Sequence, residues 1–372
     1  MNIGILIPGF SNGEQDWCIP VYLNLVRELA QTDSVRVFAL RYPARSDSYP
    51  VYDAQVFPLN GGSYTSGVRR WSLLARTVAA VIRQHRVRKF DVLHAIWADE
   101  TGFVACIAGR IIGVPVVVSM AGGELASLPG YGLQKGTVSR WLVARALDWA
   151  DRITAPSEYA AQLVRQKTSR LDRLRVVPLG VDTELFSPAI GSGEPAPCRL
   201  LAVGSLIAVK GHEQALRVVA NLSGDFPNIT LDIVGEGPLL PSLRAQAQSL
   251  GIADRVTFHG AIPHDQLPRF YQSADIHLLT SQHEAFGMVV LEAAACGLPT
   301  VGFALGVLPE FAPHAGVAVS PGDTGALTNA VRSLLCDVDR LREMKQAARI
   351  QVKARYTVRV MASEFREIYN QA

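Results

Sequence analysis

Two glutamates eight positions apart, Glu284 and Glu292, stand in the segment SQHEAFGMVVLEAAACGLPTV (281–301). The run before it, ADIHLLT (274–280), has the short apolar character of a buried strand. Gly287 then precedes a helical stretch reaching Cys296, so Glu284 falls in the loop and Glu292 inside the helix. The first N–H groups of such a helix, those of Gly287, Met288 and Val289, have no intrahelical acceptor and suit a diphosphate. A carboxylate on the helix face can accept hydrogen bonds from two ribose hydroxyls. One in the loop can reach sugar hydroxyls beyond the phosphates. Spacing alone fits a capped helix with two solvated glutamates equally well; the flanking residues favour the ligand reading.

Weaker signals lie in the same half. In LLAVGSLIAVKGH (200–212) a buried strand ends at Gly204, and Lys210 and Gly211 open the next helix. A lysine there can neutralise diphosphate charge, although the order of a Walker A loop is absent. VGEGPL (234–239) puts Gly235 and Gly237 after another strand, a pattern that also makes a plain turn. In the first half, Pro8-Gly9 and Gly13-Glu14 follow the first strand. Trp97, Asp99 and Glu100 follow the strand ending at Ala95, and Glu124 follows the one ending at Ser119. Carboxylates and an aromatic at such strand ends suit a hydroxyl-rich acceptor; Asp99 and Glu100 equally suit the N-terminus of a helix.

The elements that must position these residues alternate along the chain. Strands are expected near Ile3–Ile7, Val35–Leu40, Val92–Ala95, Val116–Ser119, Ile153–Ala155 and Arg175–Pro178. They recur near Leu200–Val203, Thr230–Val234, Val256–Phe258, Ile276–Leu279 and Thr300–Gly302. Helices fall between them, among them Pro20–Ala30, Ser72–Gln84, Gly102–Ile112 and Val138–Ala150, and 324–369 is mostly helical. Continuous apolar strands joined by helical crossovers give parallel sheets covered on both faces. The Pro/Gly/Ser-rich stretch FSPAIGSGEPAPC (186–198) is the linker between two such α/β domains. Ligands bind outside the carboxyl ends of the strands, which places a shared cleft between domains facing each other.

The 372 residues, 49% hydrophobic and 19% charged, allow two full cores. A net charge of +3 is too small to imply nucleic acid. The five cysteines (18, 106, 198, 296, 336) contain no C-x-x-C pair, and no secretory signal is visible, so a cytoplasmic location is expected. Phe103–Met120 is apolar but is broken by Arg110, Gly113 and Pro115, and reads as helix, turn and strand rather than a span. No D-x-D motif stands out, and the spacing of His259, His264, His277 and His283 fits no zinc pattern, so no metal is expected. Arg69–Phe90 carries seven Lys or Arg and no acid, with Trp71, Leu74, Val78 and Val81 at helical spacing. A peripheral contact of this Arg69–Lys89 helix with the inner membrane face is one reading; a core-packed helix with a solvated basic face is the other.

Taken together, the segments EAFGMVVLEAAACGLPTV, VGSLIAVKGH, VGEGPL and VVPLGVDTELFSP (176–188) resemble glycosyltransferase family 4, the large retaining group with the GT-B fold. The resemblance covers most of the chain. It implies an acceptor-side Rossmann-like domain over 1–187 with a C-terminal crossing helix at 354–372. A linker at 188–197 and a nucleotide-sugar domain over 198–353 complete the layout. It implies a nucleotide-diphosphate sugar as co-substrate, no cofactor, and a hexose-type sugar moved to a hydroxyl of a glycan or lipid-linked acceptor, in polysaccharide or glycolipid assembly. The family's donor site falls on Ser205, Lys210, Gly235, Ile262, Glu284, Phe286, Gly287, Met288, Val289 and Glu292, with Lys210 and Glu284 closest to the chemistry. Gly13, Glu14, Trp97, Asp99 and Glu124 fall on the acceptor side.

Three positions depart from the family pattern. Ser205 stands for the usual Arg, Ala121 for a His, and Gly306-Val307 for a Gly-Gly pair. Losing the Arg removes a charge-assisted phosphate contact worth about 2 kcal/mol. The resemblance implies that retaining members need no dedicated base, since the leaving diphosphate can take the acceptor's proton. Two alternatives remain: a nucleotide-sugar 2-epimerase, which shares the architecture, and a degenerate member that binds nucleotide or glycan without catalysis.

Overall fold

The computed structural model describes residues 1–62, 67–125, 136–189 and 198–372. The chain divides into two compact units, 1–180 with 358–372, and 181–357.

Unit 1 holds an eight-stranded sheet of β1 (Asn2–Gly9), β2 (Ser34–Tyr42), β3 (Tyr49–Val51), β4 (Ala54–Pro58), β5 (Val92–Ile96), β6 (Val116–Ser119), β7 (Arg152–Ala155) and β8 (Leu174–Val176). Its order is β3-β4-β2-β1-β5-β6-β7-β8, and every pair is parallel except β3 with β4. The short strands β3 and β4 are absent from the sequence expectation. They are brief and carry Pro50 and Pro58; β3 forms the edge of the sheet, where a missing ladder donor is tolerated, and β4 lies between it and β2. The apolar stretch 103–120 is resolved as a helix, Glu100–Ile112, a left-handed cap at Gly113 (φ 68°), and β6.

The helix Gly67–Val87 buries Leu73, Leu74, Thr77, Ala80 and Val81 and packs Val78 on the same core. The stripe of Leu74, Val78 and Val81 that a lipid surface would take is therefore turned inward. Trp71 stays 45% exposed, and Arg69, Arg76, Arg83 and Arg86 face outward. No helix among the described residues is long and apolar enough to cross a membrane.

The last helix, Val358–Asn370, belongs to unit 1. Its Tyr369 hydroxyl lies 2.8 Å from His94 Nδ1 on β5, and His94 Nε2 lies 2.6 Å from Ser119 Oγ on β6. Burial holds this histidine neutral, its pKa lowered to about 3.

Unit 2 holds a six-stranded, wholly parallel sheet of β9 (Arg199–Val203), β10 (Thr230–Val234), β11 (Val256–Phe258), β12 (Ile276–Leu279), β13 (Thr300–Phe303) and β14 (Gly316–Val319), in the order β11-β10-β9-β12-β13-β14. The last of these, four residues at an edge, is again one the sequence did not announce.

The division between units corrects the expected boundaries. Residues 181–187, assigned from the sequence to the first domain, belong to unit 2, and the second crossing falls at 357/358 rather than 353/354. Side-chain and backbone contacts explain the shift. Val181 N–H donates to Tyr356 O at 2.8 Å. Phe186 is fully buried with its ring 5.1 Å from His264 and 5.9 Å from Tyr271. Arg349 holds the carbonyls of Thr183 and Phe186 at 3.0 and 2.9 Å. Of the expected linker 188–197, residues 190–197 lie outside the described residues.

Candidate functional site

In unit 2 the strand order reverses direction between β9 and β12, and the loops after these two strands meet there. This topological switch point is where a doubly wound sheet leaves a crevice beyond its strand ends. The two loops are stitched together by backbone. Gln282 N–H donates to Val209 O at 2.7 Å, and Thr280 Oγ donates to Lys210 O at 3.1 Å. Gly211 is required at the crossing: its φ is 61°, and a Cβ there would lie 2.2 Å from Thr280 O. Closing the loops this way brings Lys210 Nζ to 2.6 Å from Glu284 Oε1, which also accepts from Ser281 Oγ at 2.7 Å. Two of the residues singled out from the sequence thus form one part-buried ion pair.

The helix after this loop runs Met288–Ala295, entered through Gly287 at φ 91°. Its first amides form the cluster of donors that an anion needs. The turn is held from behind: Val307 N–H donates to Phe286 O at 2.7 Å, and Gly306 (φ 57°) approaches so closely that a Cβ would sit 2.2 Å from that oxygen. The departure from a Gly-Gly pair therefore retains the one glycine the backbone contact demands. Phe286 itself is buried, its ring 6.5 Å from Tyr356, and its side chain supports the turn.

Glu292 lies one helical turn further, 6% exposed. Its Oε2 accepts from the Tyr271 hydroxyl at 2.7 Å and its Oε1 lies 3.2 Å from His264 Nε2. His264 follows Ile262 by two residues, so Glu292 faces the loop that carries Ile262. Gly235 packs against the β9 turn, where a Cβ would meet Gly204 O at 2.0 Å, and its N–H donates to Gly260 O at 2.8 Å. That amide is taken up by the fold, which makes Gly235 a spacer for the crevice. Ser205, in place of the family's Arg, is exposed. A cavity of about 560 Å³ borders Tyr271 and Cys296. Its cations are already engaged: Lys345 with Asp275 at 3.3 Å, and Arg349 with three carbonyls.

In unit 1 the corresponding switch lies between β1 and β5. Gly13 is partly exposed and Glu14 exposed in the loop after β1, where residues 12–16 and Tyr42 line an open concavity of about 620 Å³. Asp16 organises that loop, accepting from Asn12 N–H at 2.7 Å and Tyr42 Oη at 2.8 Å. Trp97, immediately after β5, has φ 75°, a left-handed conformation that is strained for a bulky residue. Its ring meets Tyr22 edge-on at 5.8 Å.

Asp99 and Glu124 are buried, at 4% and 7% exposure. Burial first, then the neighbouring Glu100, raises the Asp99 pKa to about 6. Burial raises Glu124 to about 7, and Asp99 adds to it; backbone amides offset part of this. The Ala121 N–H, at the position of the family's His, donates to Glu124 Oε1 at 2.7 Å, and Oε2 finds no partner among the described residues. Glu100, by contrast, is a structural ion: it bridges Arg41 Nε at 3.2 Å and Arg70 Nε at 2.7 Å. Tyr271 and the Arg41–Glu100–Arg70 bridge escaped sequence reasoning. Nothing in local spacing marks an aromatic or an arginine whose partner lies far along the chain.

Two doubly wound halves, one with a lysine–glutamate pair and a helix N-terminus at its switch point, define a GT-B glycosyltransferase architecture. Comparison with known proteins agrees. Residues 19–180 match the glycosyl transferase 4-like domain, and residues 193–351 match the glycosyl transferases group 1 model. The chain is 31% identical to the GDP-mannose-dependent α-(1-6)-phosphatidylinositol monomannoside mannosyltransferase of Mycolicibacterium smegmatis, over 87% of each chain. It is 35% identical to the D-inositol 3-phosphate glycosyltransferase of Acidothermus cellulolyticus over 69% of this chain, spanning 60% of that relative's length. Sucrose-phosphate synthase from Thermosynechococcus elongatus shares the fold, with a TM-score of 0.81 at 22% identity, covering 100% of this chain and 99% of that one. The chain belongs to glycosyltransferase family 4.

Proposed function

We propose that unit 2 binds a nucleoside diphosphate sugar and that the chain transfers its hexose-type sugar, with retained anomeric configuration, to a hydroxyl of a glycan or lipid-linked acceptor. The observation that carries this reading is the Lys210–Glu284 pair, 2.6 Å apart at the switch point beside a helix N-terminus. In the reaction the bond from the anomeric carbon to the diphosphate oxygen breaks and a bond to the acceptor oxygen forms. The acceptor's proton passes to the departing diphosphate. Lys210 and the amides of residues 287–289 stabilise the charge that grows on that group, and Glu284 holds hydroxyls of the transferred sugar. Glu292 holds the ribose, Ile262 lies beside the base, and Met288 and Val289 contact sugar and phosphate through backbone. On the other unit, Asp99, Glu124 and Trp97 offer acceptors and an aromatic face to the hydroxyl-rich substrate, with Gly13 and Glu14 at its border.

The test is to incubate the protein with UDP-, GDP- and ADP-hexoses, with and without polyol and glycolipid acceptors, and follow the anomeric proton by NMR. A product with the donor's configuration, formed only with an acceptor, is expected. Conversion of donor alone to its 2-epimer would overturn transfer in favour of isomerisation, and inertness with every donor would favour a binding-only role.

A peripheral membrane contact through the Arg69–Lys89 helix has one structural observation in its favour. Trp71 and Trp141, 45% and 46% exposed, flank Phe103 at 6.4 and 5.2 Å, and Val68 and Val138 are exposed on the same two helices. Arg69, Arg76 and Arg140 accompany them. Aromatic and basic side chains in this arrangement suit an anionic lipid surface. Co-sedimentation with anionic vesicles at low salt, lost in Trp71→Ala/Trp141→Ala, is the expected result; equal sedimentation of both proteins would remove this reading.

A further inference from the structure

The carboxylate of Glu292 is not left to find its own orientation. Tyr271 donates to Oε2 at 2.7 Å, and its hydroxyl has no other partner among the described residues; burial and then the adjacent Glu292 carboxylate push its pKa far up, so it remains a donor at any working pH. His264 Nε2 faces Oε1 at 3.2 Å, and its ring is braced by Phe186 at 5.1 Å. Phe186 is in turn fixed through its carbonyl by Arg349. Each carboxylate oxygen has two lone-pair directions. With one on Oε2 taken by Tyr271 and one on Oε1 by His264, one remains on each oxygen. Two acceptor sites side by side match the two adjacent hydroxyls of a ribose.

We infer that Tyr271 and His264 are positioning residues: they lock the Glu292 carboxylate in the rotamer that receives the 2′- and 3′-hydroxyls together, and so make the site selective for ribonucleotides. The inference rests on the donor-site reading of Glu292. It also accounts for His264, one of four histidines whose spacing fits no metal, and for the packing of residues 181–187 on unit 2. An unlocked carboxylate still attracts hydroxyls, but it no longer reads both at once. The loss should therefore appear as lost discrimination, not only as lost affinity.

The experiment is a cycle between protein and ligand. Dissociation constants are measured by titration calorimetry for whichever of UDP, GDP or ADP binds the wild-type protein, and for its 2′-deoxy counterpart. The proteins are wild type, Tyr271→Phe, His264→Ala, His264→Gln and Glu292→Ala. In the wild type the 2′-deoxy ligand is expected to bind about tenfold more weakly. In Tyr271→Phe and His264→Ala that ratio should fall to about two, whereas His264→Gln, which keeps a donor, should restore most of it. An unchanged ratio in both Tyr271→Phe and His264→Ala, with binding lost in Glu292→Ala, overturns the positioning role and leaves the donor site standing. Full nucleotide binding by Glu292→Ala overturns the donor-site reading, and this inference with it. If Tyr271→Phe lowers the melting temperature, the His264 pair carries the test alone.

Discussion

The carboxylates of the two units live in opposite circumstances. In unit 2, Glu284 is met by Lys210 and Ser281, and Glu292 by Tyr271 and His264, so the chain itself supplies the donors that an ionised carboxylate needs. In unit 1, Asp99 and Glu124 are as deeply buried, yet among the described residues neither has an ion-pair partner, and their pKa values rise to about 6 and 7. A burial cost that is offset internally gives a preorganised site whose ligand is met by fixed groups. A burial cost left open gives a site that gains most when a ligand brings its own donors. The first arrangement suits a constant ligand such as a nucleoside diphosphate. The second suits an acceptor whose hydroxyls complete the hydrogen bonding.

The comparison is broken most severely by removing the cation of unit 2. Lys210→Ala should lower kcat by on the order of 10²–10³-fold, since charge on the leaving diphosphate loses its fixed counter-charge. A steady-state transfer assay measures this, and a change in kcat below a few-fold would exclude Lys210 from the chemistry. Next in size is Gly211→Ala. The new Cβ meets Thr280 O at 2.2 Å in a left-handed backbone, so it should cost about 3 kcal/mol in denaturant unfolding and disturb the Lys210–Glu284 contact.

Glu124→Gln sharpens the unit 1 half of the comparison through its sign. A carboxyl whose folded pKa is raised favours the folded state fully below its unfolded pKa, near 4.5, and that contribution is lost as pH rises through about 7. The neutral amide has no such loss. Glu124→Gln should therefore be more stable than wild type above pH 7 by about 2 kcal/mol, with the difference shrinking toward pH 5. Chemical denaturation at pH 5 and pH 8 gives the two values, and a difference that is constant with pH would show that Glu124 is ionised normally. The smallest effect is expected at Ser205. This position is exposed, so Ser205→Arg should restore a solvent-screened phosphate contact worth roughly 1 kcal/mol, about fivefold in Kd for the nucleotide.

How far these sites were legible in the sequence follows from where their partners lie. Glu284, Gly287 and Glu292 share one strand–loop–helix unit, so local spacing revealed them. Lys210 is 74 residues from Glu284, and only the family pattern joined them. Tyr271 reads locally as one more core aromatic, because its hydroxyl's acceptor lies on the next helix. The Phe286 ring lies in the core and the Gly235 amide donates to Gly260, contacts with distant segments that local spacing does not announce. Strands in the middle of each sheet announced themselves by continuous apolar runs. The short strands β3, β4 and β14, at a sheet edge or next to one, did not, because the outermost strands need neither length nor apolarity on both faces. The boundary at 180/181 was hidden because GVDTELFSP carries no composition break; it joins unit 2 through Phe186 and the carbonyls held by Arg349.

The central claim is that the switch point of unit 2 is a nucleoside diphosphate site built around Lys210, the 287–289 amides and Glu292. It is tested most directly by isothermal titration of the purified protein with UDP, GDP and ADP, repeated on Glu292→Ala and Lys210→Ala. The account predicts binding of one nucleotide by the wild-type protein, lost in the first variant and weakened in the second. Failure of all three nucleotides to bind, or equal binding by all three proteins, would contradict it.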